Sequence, residues 1–139
     1  MSLFSAIDTA ATALEAQSVR LNTISSNLAN AGAVARTPEE AYRAQYVVFE
    51  TMYQGAMGEM EGASSGVQVS EVVLSDLPPR KEYVPSHPLA DEEGFIYRST
   101  VNSVEEIANM IEASRNYQSN IEAMNTTKQL ILRTLTLGR

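Results

Sequence analysis

The sequence predicts a mainly α chain with a small β element, in which long N- and C-terminal helices pack as an antiparallel coiled coil, with a small β-rich middle domain carried on it. Ile7, Leu14, Leu21 and Leu28 recur every seven residues near the start. Ile107, Met110, Tyr117, Ile121, Met124, Ile131 and Leu135 recur at three- and four-residue steps near the end. Between these stripes the period falls to two, and glycines and prolines punctuate the chain. The expected boundaries are an N-terminal helix over 1–32, a middle domain over 33–100 with Gly/Pro-rich loops, and a C-terminal helix over 101–139.

Such stripes belong to helices of about 28 and about 33 residues, which at ~1.5 Å per residue span roughly 40 to 50 Å. A compact globule of 139 residues is nearer ~30 Å across. Helices of that length overhang their own domain and must pack against something else.

The first helix carries a thin apolar stripe. Ala10, Ala11, Ala13, Ser18, Ile24 and Ser25 sit between its heptad residues, so neighbouring helices can approach closely while little apolar area is buried. Each buried Leu or Ile contributes about 1.5 to 3 kcal/mol, against about 1 to 2 kcal/mol of backbone entropy per ordered residue, which leaves the helix marginal alone. The polar run Asn22, Ser25, Ser26, Asn27, Asn30 reads either as a solvated face or as a set of hydrogen-bonding groups for neighbouring subunits. Gly32, after Ala31, suits a helix C-terminal cap.

In the middle, Tyr42 to Phe49 and Val67 to Leu74 read as strands, and Phe95 to Arg98 as a short one after the Glu93-Gly94 turn. Gly55, Gly58, Gly62 and Gly66 predict a loop from Thr51 to Gly66. Pro78, Pro79 and Pro85 impose an extended course. The last helix is expected to begin at Ser103, which forms an S-x-x-E capping box with Glu106. Glu105 and Glu106 also favour the positive end of the helix dipole. Ser114 and Lys128 interrupt its stripe, which argues against a private two-stranded zipper and for several neighbours. Ile111, Leu130 and Leu132 form a second apolar edge.

Charge is distributed unevenly: of the net charge of −7, residues 1–30 carry −1, residues 31–100 carry −6 and residues 101–139 carry none. The nearly neutral ends can crowd side by side, and the acidic middle faces solvent. Its five cations lie among eleven acids, so no basic patch for nucleic acid exists. No apolar run is long enough for a direct membrane span. The N-terminus lacks the basic and continuous apolar segments of a secretory signal, so a periplasmic or external destination requires another export route. Zero cysteines exclude disulfides, thiolate metal sites and a cysteine nucleophile.

Catalytic chemistry is sparse. His87 is the only histidine; with Asp91, Glu92 and Glu93 it could hold a divalent ion, but it is read as part of a solvated turn. Asn125-Thr126-Thr127 matches a glycosylation sequon within a helical segment and is taken as chance. Gly62 and Gly66 lack the lysine and hydroxyl residue of a phosphate loop, and Glu39-Glu40 has no apolar pocket to separate its pKa values. The reading is no enzyme, no cofactor and no metal. A discrete coiled-coil adaptor or secretion-system structural protein stays open as an alternative, with a small metal-dependent enzyme a remote one.

Several segments also resemble a known family. Leu21-Asn22 with Ser26-Asn27-Leu28-Ala29-Asn30-Ala31 resembles the N-terminal signature of bacterial flagellar rod and hook proteins. Tyr42-Arg43-Ala44, Val47-Val48-Phe49, His87-Pro88-Leu89-Ala90-Asp91 and Gly94-Phe95 resemble the basal-body rod proteins among them, more narrowly the proximal rod subunits. So do Ala113 to Glu122, Asn125-Thr126 and Leu135-Thr136-Leu137-Gly138. The stretches 36–40 and 51–66 match no such pattern.

The resemblance implies a structural subunit of the bacterial flagellum, exported unfolded through the flagellar type III export apparatus. It implies assembly through the terminal helices into a torque-transmitting tube that crosses the periplasm. The implied partners are other proximal and distal rod subunits, the adapter between rod and membrane ring, and the peptidoglycan-layer ring. A chain without cysteine suits passage through a narrow channel into an oxidising space. The expected assembly interface comprises Ile7, Leu14, Leu21, Asn22, Ser26, Asn27, Leu28 and Asn30 of the first helix. From the last helix it takes Ile107, Met110, Ile111, Tyr117, Ile121, Met124, Ile131 and Leu135.

Overall fold

The computed structural model describes residues 3–54 and 64–137. In chain order the elements are α1 (Leu3–Ala29), β1 (Val34–Ala35), β2 (Gln45–Gln54), β3 (Ser64–Leu74), β4 (Arg80–Tyr83), β5 (Phe95–Arg98) and α2 (Ser103–Leu137). The chain is thus two long helices with a small β element between them. No helix among the described residues is long and apolar enough to cross a membrane.

Among the described elements, α2 packs against α1 alone, whereas α1 also packs on β2 and β3. Contacts between the helices run in opposite chain directions: Arg20 meets Glu112, and Asn27 acts on Glu106. The covered residues of α2 include Glu106, Met110, Ala113, Tyr117, Asn120, Met124, Thr127 and Ile131, alternately four and three apart, with Asn109 and Ser114 half-buried beside them. Ala113 is fully buried and Ala16 of α1 nearly so, which is how small residues let two helix backbones come close.

The β element is two separate sheets. β2 and β3 form an antiparallel ribbon running from Gln45 opposite Leu74 to Gln54 opposite Ser64, with a register shift between Val48 and Phe49. β1, β5 and β4 form a second antiparallel sheet with β5 in the centre. Ile96 of β5 is among the largest fully buried side chains.

Four local expectations are corrected. The ribbon is longer than the periodicity suggested: Thr51 to Gln54 and Ser64 to Gly66 are strand, while Gly55, Gly58 and Gly62 lie outside the described residues. Gly66 is strand because it pairs with Met52, and α1 passes so near that a Cβ there would sit 2.9 Å from Thr12 Oγ1. Tyr42 to Ala44 precede β2 instead of opening it, because their backbone groups bond elsewhere. Thr100 N donates to Tyr42 O (3.1 Å), Ala44 N to Thr100 Oγ1 (2.9 Å) and Ser75 N to Ala44 O (2.7 Å).

The helix ends also differ. α1 stops at Ala29 without a left-handed glycine at 32; Asn30 Nδ2 turns back onto Ser26 O at 2.9 Å and occupies a terminal carbonyl. α2 begins at Ser103 as expected, but its cap is Asn102, whose Oδ1 accepts from Val104 N at 3.2 Å. Glu106 does not reach back to that cap, because its side chain turns inward and is buried.

β1 and β4 carry no sequence signal. β1 is two residues long, and β4, Arg-Lys-Glu-Tyr, is exposed throughout. Both are strands because β5 supplies their ladder partners, and Arg98 pairs with Glu82 across it.

Candidate assembly surface

Where the helices meet the β element, a polar junction joins four stretches of chain. Asn27 of α1 is 0% exposed. Its Oδ1 accepts from Gln45 N at 2.9 Å and from Tyr42 Oη at 3.1 Å, and its Nδ2 donates to Gln45 O at 2.8 Å. Ser26 Oγ lies 3.2 Å from the same Tyr42 hydroxyl. Ser99 is also buried, its Oγ accepting from Val101 N at 3.1 Å, and Ser99 N donates to Ala33 O at 3.1 Å. The segments that carry the family resemblance, Ser26 to Ala31 and Tyr42 to Ala44, thus converge here.

Glu106 of α2 borders this junction at 3% exposure. Burial, the larger cause, and the charge of Glu105 push its pKa above the usual carboxylate value, while Asn27 and Arg20 pull it down. Tyr46 of β2 is raised as well, first by burial and then by the charges of Glu106 and Glu105. Arg20 Nη2 donates to Glu112 Oε2 at 3.1 Å.

The turn from His87 to Phe95 is closed by side-chain acceptors. His87 Nδ1 accepts from Leu89 N at 3.1 Å. Asp91 Oδ1 accepts from Phe95 N at 2.8 Å and Glu93 N at 3.0 Å, and the Phe95 bond leads in holding its carboxyl below the usual value. Gly94 adopts φ 85° there, with Tyr83 and Pro85 where a Cβ would stand. Among the described residues no cluster of three metal-ligating side chains occurs, at His87 or elsewhere.

The sixteen residues proposed for assembly fall into three groups. Ile7, Leu14, Leu21, Leu28, Ser26 and Asn30 on α1, with Met110, Tyr117, Met124 and Ile131 on α2, are half-buried. Asn22, Ile107, Ile111, Ile121 and Leu135 are exposed. Asn27 is buried, and both ends of its amide are engaged within the chain. Among the exposed apolar residues of α2, Ile107, Ile111, Ile121, Leu132 and Leu135, preceded by Val104, make a stripe one position C-terminal to the covered one, while Leu130 and Leu137 are exposed off it. Ser114, Gln118, Asn125 and Lys128 divide it into two apolar patches. Sequence reasoning missed Glu106 and Ala113 as buried positions, although both fall on the four-three stripe with Met110 and Tyr117.

Comparison with known proteins agrees with this architecture. Residues 7–34, covering most of α1, match the family model of the flagella basal body rod protein. Residues 92–137, covering β5 and α2, match that of the flagellar basal body rod FlgEFG protein C-terminal region. The chain is 45% identical over 139 residues to the flagellar basal-body rod protein FlgC of Salmonella typhimurium, covering 100% of both chains. It is 44% identical to FlgC of Escherichia coli O157:H7 over the same length. With FlgC of Bacillus subtilis it shares 29% identity over 150 residues, again with complete coverage of both. The chain therefore belongs to the FlgC family of flagellar basal-body rod proteins, structural subunits of the rod and not enzymes.

Proposed function

We propose that this chain is a proximal rod subunit whose terminal helices form an antiparallel coiled coil and assemble with neighbouring axial subunits into the torque-transmitting shaft. The observation that carries this reading is the uncovered apolar stripe of α2, from Val104 to Leu135, on a helix already covered along its other stripe by α1. A free surface bearing two such patches calls for protein partners. The opposed Arg20–Glu112 and Asn27–Glu106 contacts and the four-three burial pattern support the antiparallel arrangement. Total accessible area supports assembly as well: the chain presents 9813 Å², where a compact monomer of its mass presents about 7,100 Å².

Export through the flagellar type III apparatus, a course across the periplasm, and contacts with other rod proteins, the membrane-ring adapter and the peptidoglycan-layer ring belong to the same proposal. So do the division at 1–32, 33–100 and 101–139 and the remaining interface residues on α1. Folding of the helix tips is coupled to assembly, because neighbours supply the surface they lack. Basal bodies purified from cells carrying a tagged copy test the reading. The tag should lie at the proximal rod; a tag recovered only as a soluble oligomer of fixed size would make the chain a discrete adaptor instead.

A further inference from the structure

Between α1, β2 and α2 lies a cleft of about 370 Å³ bordered by Arg20, Ile24, Tyr46, Phe49, Glu106 and Asn109. That is roughly ten times the ~30 Å³ share of one water, room enough for a single long side chain. We propose that this cleft is a socket for an arginine or lysine side chain presented by a neighbouring axial subunit, with the Glu106 carboxylate as its acceptor. The proposal rests on the rod reading above.

Three observations carry it. Glu106 is almost entirely buried, and its Oε2 has no hydrogen-bond partner. A buried carboxylate oxygen without a donor is unfavourable unless something pairs with it. Second, the local charge is unbalanced. The charge of Glu105 adds to that of Glu106, and the one cation lining the cleft among the described residues, Arg20, acts on Glu106 but donates its hydrogen bond to Glu112. Third, apolar and aromatic side chains line the cleft beside polar ones. Ile24, Phe49 and the Tyr46 ring suit the aliphatic stem of a long cationic side chain, and a guanidinium can also stack on the ring. A buried carboxylate in such a cleft suits an organic cation better than a divalent ion, for which no three-ligand cluster occurs among the described residues. The raised pKa of Glu106 agrees, since an incoming cation would draw it back down.

The full chain, titrated with n-butylguanidinium as an arginine side-chain probe and followed by NMR, tests the socket directly. The Gln45, Tyr46 and Asn109 amides should shift saturably, and the Glu106 carboxyl should titrate at lower pH. Affinity should fall at least about tenfold in Glu106→Gln, the scale of a charge-assisted hydrogen bond. Equal shifts with tetramethylammonium, which carries charge but no donor, or shifts unaltered by Glu106→Gln, would overturn it. A second arm does not depend on that variant folding. Phe49→p-benzoylphenylalanine, irradiated in assembled basal bodies, should cross-link to an axial-subunit peptide bearing Arg or Lys, and changing that cation to Gln should abolish the adduct. An adduct on a peptide without a cation, or no adduct while free spermidine fills the cleft, would refute the proposal. If the chain is absent from basal bodies the rod reading fails, and the butylguanidinium titration still decides the socket.

Discussion

Asn27 and Gln45 are joined as though they were neighbours on a β-ladder: the Asn27 amide accepts from Gln45 N at 2.9 Å and donates to Gln45 O at 2.8 Å. A helix side chain thereby takes the place of a strand at the first residue of β2. Removing it leaves the N–H and C=O of Gln45 without that partner next to a site that is 0% exposed, while the Tyr42 hydroxyl keeps Ser26 Oγ. Each buried group left unsatisfied costs about 1 to 3 kcal/mol. Asn27→Ala should therefore destabilise the chain by at least about 2 kcal/mol in urea unfolding. Hydrogen exchange at the Gln45 amide should accelerate most.

Glu106 gives the fold a pH dependence of definite sign. Its pKa is raised in the native state, so the native state binds a proton more readily than the unfolded chain does. Its contribution is intact below the ordinary value of 4.5 and is lost as pH rises through the raised value. Glu106→Gln keeps the shape without the charge. It should be more stable than the wild type at pH 7, because it has no charge to keep desolvated. The gap should close as pH falls towards 4.5; a constant gap across that range would refute the assignment.

Gly66 sits where β3 meets α1. A Cβ there would lie 2.9 Å from Thr12 Oγ1 and 3.3 Å from Thr12 Cγ2, and the same hydroxyl accepts from Val67 N at 3.3 Å. Gly66→Ala should cost about 1 to 3 kcal/mol by overpacking. Thr12→Ser in the same chain removes the methyl and should recover part of that loss, as a double-mutant cycle of melting curves would reveal.

The outward stripe of α2 separates stability from assembly. Ile111 is 51% exposed and Leu135 65%. Ile111→Asp and Leu135→Asp should change unfolding free energy by less than about 0.5 kcal/mol, because neither position is in the core. Both should abolish incorporation into basal bodies and swimming. Normal motility in both variants would remove the stripe as an assembly surface.

The two helices were legible because their periodicity is sustained over many turns, and β5 because Gly94 and its flanking residues form a recognisable turn. β4 was not, since a charged, wholly exposed strand has no alternation to read and exists only through its partner. Thr51 to Gln54 were hidden for a related reason: the glycine that suggested a loop, Gly66, marks a close helix–strand approach instead. At the junction, Asn27 was singled out for its type and its place in a recognisable signature. That it would be spent inside the chain was not legible, because its partners Tyr42 and Gln45 come from a distant stretch. Glu106 was misassigned to a cap because local capping rules applied to the same residue as the helical stripe, and packing prevailed.

The bonds around Asn27 and the Thr12–Gly66 approach clamp the helix pair along one stretch of its length. Mechanically that is a beam built in at its root. Load applied to the β element enters the helices through hydrogen bonds that cannot shear without exposing buried polar groups. Past Ala113 the outward face of α2 stays open, with Leu130, Leu132, Leu135 and Leu137 exposed, so compliance collects towards that end while the root keeps a single shape.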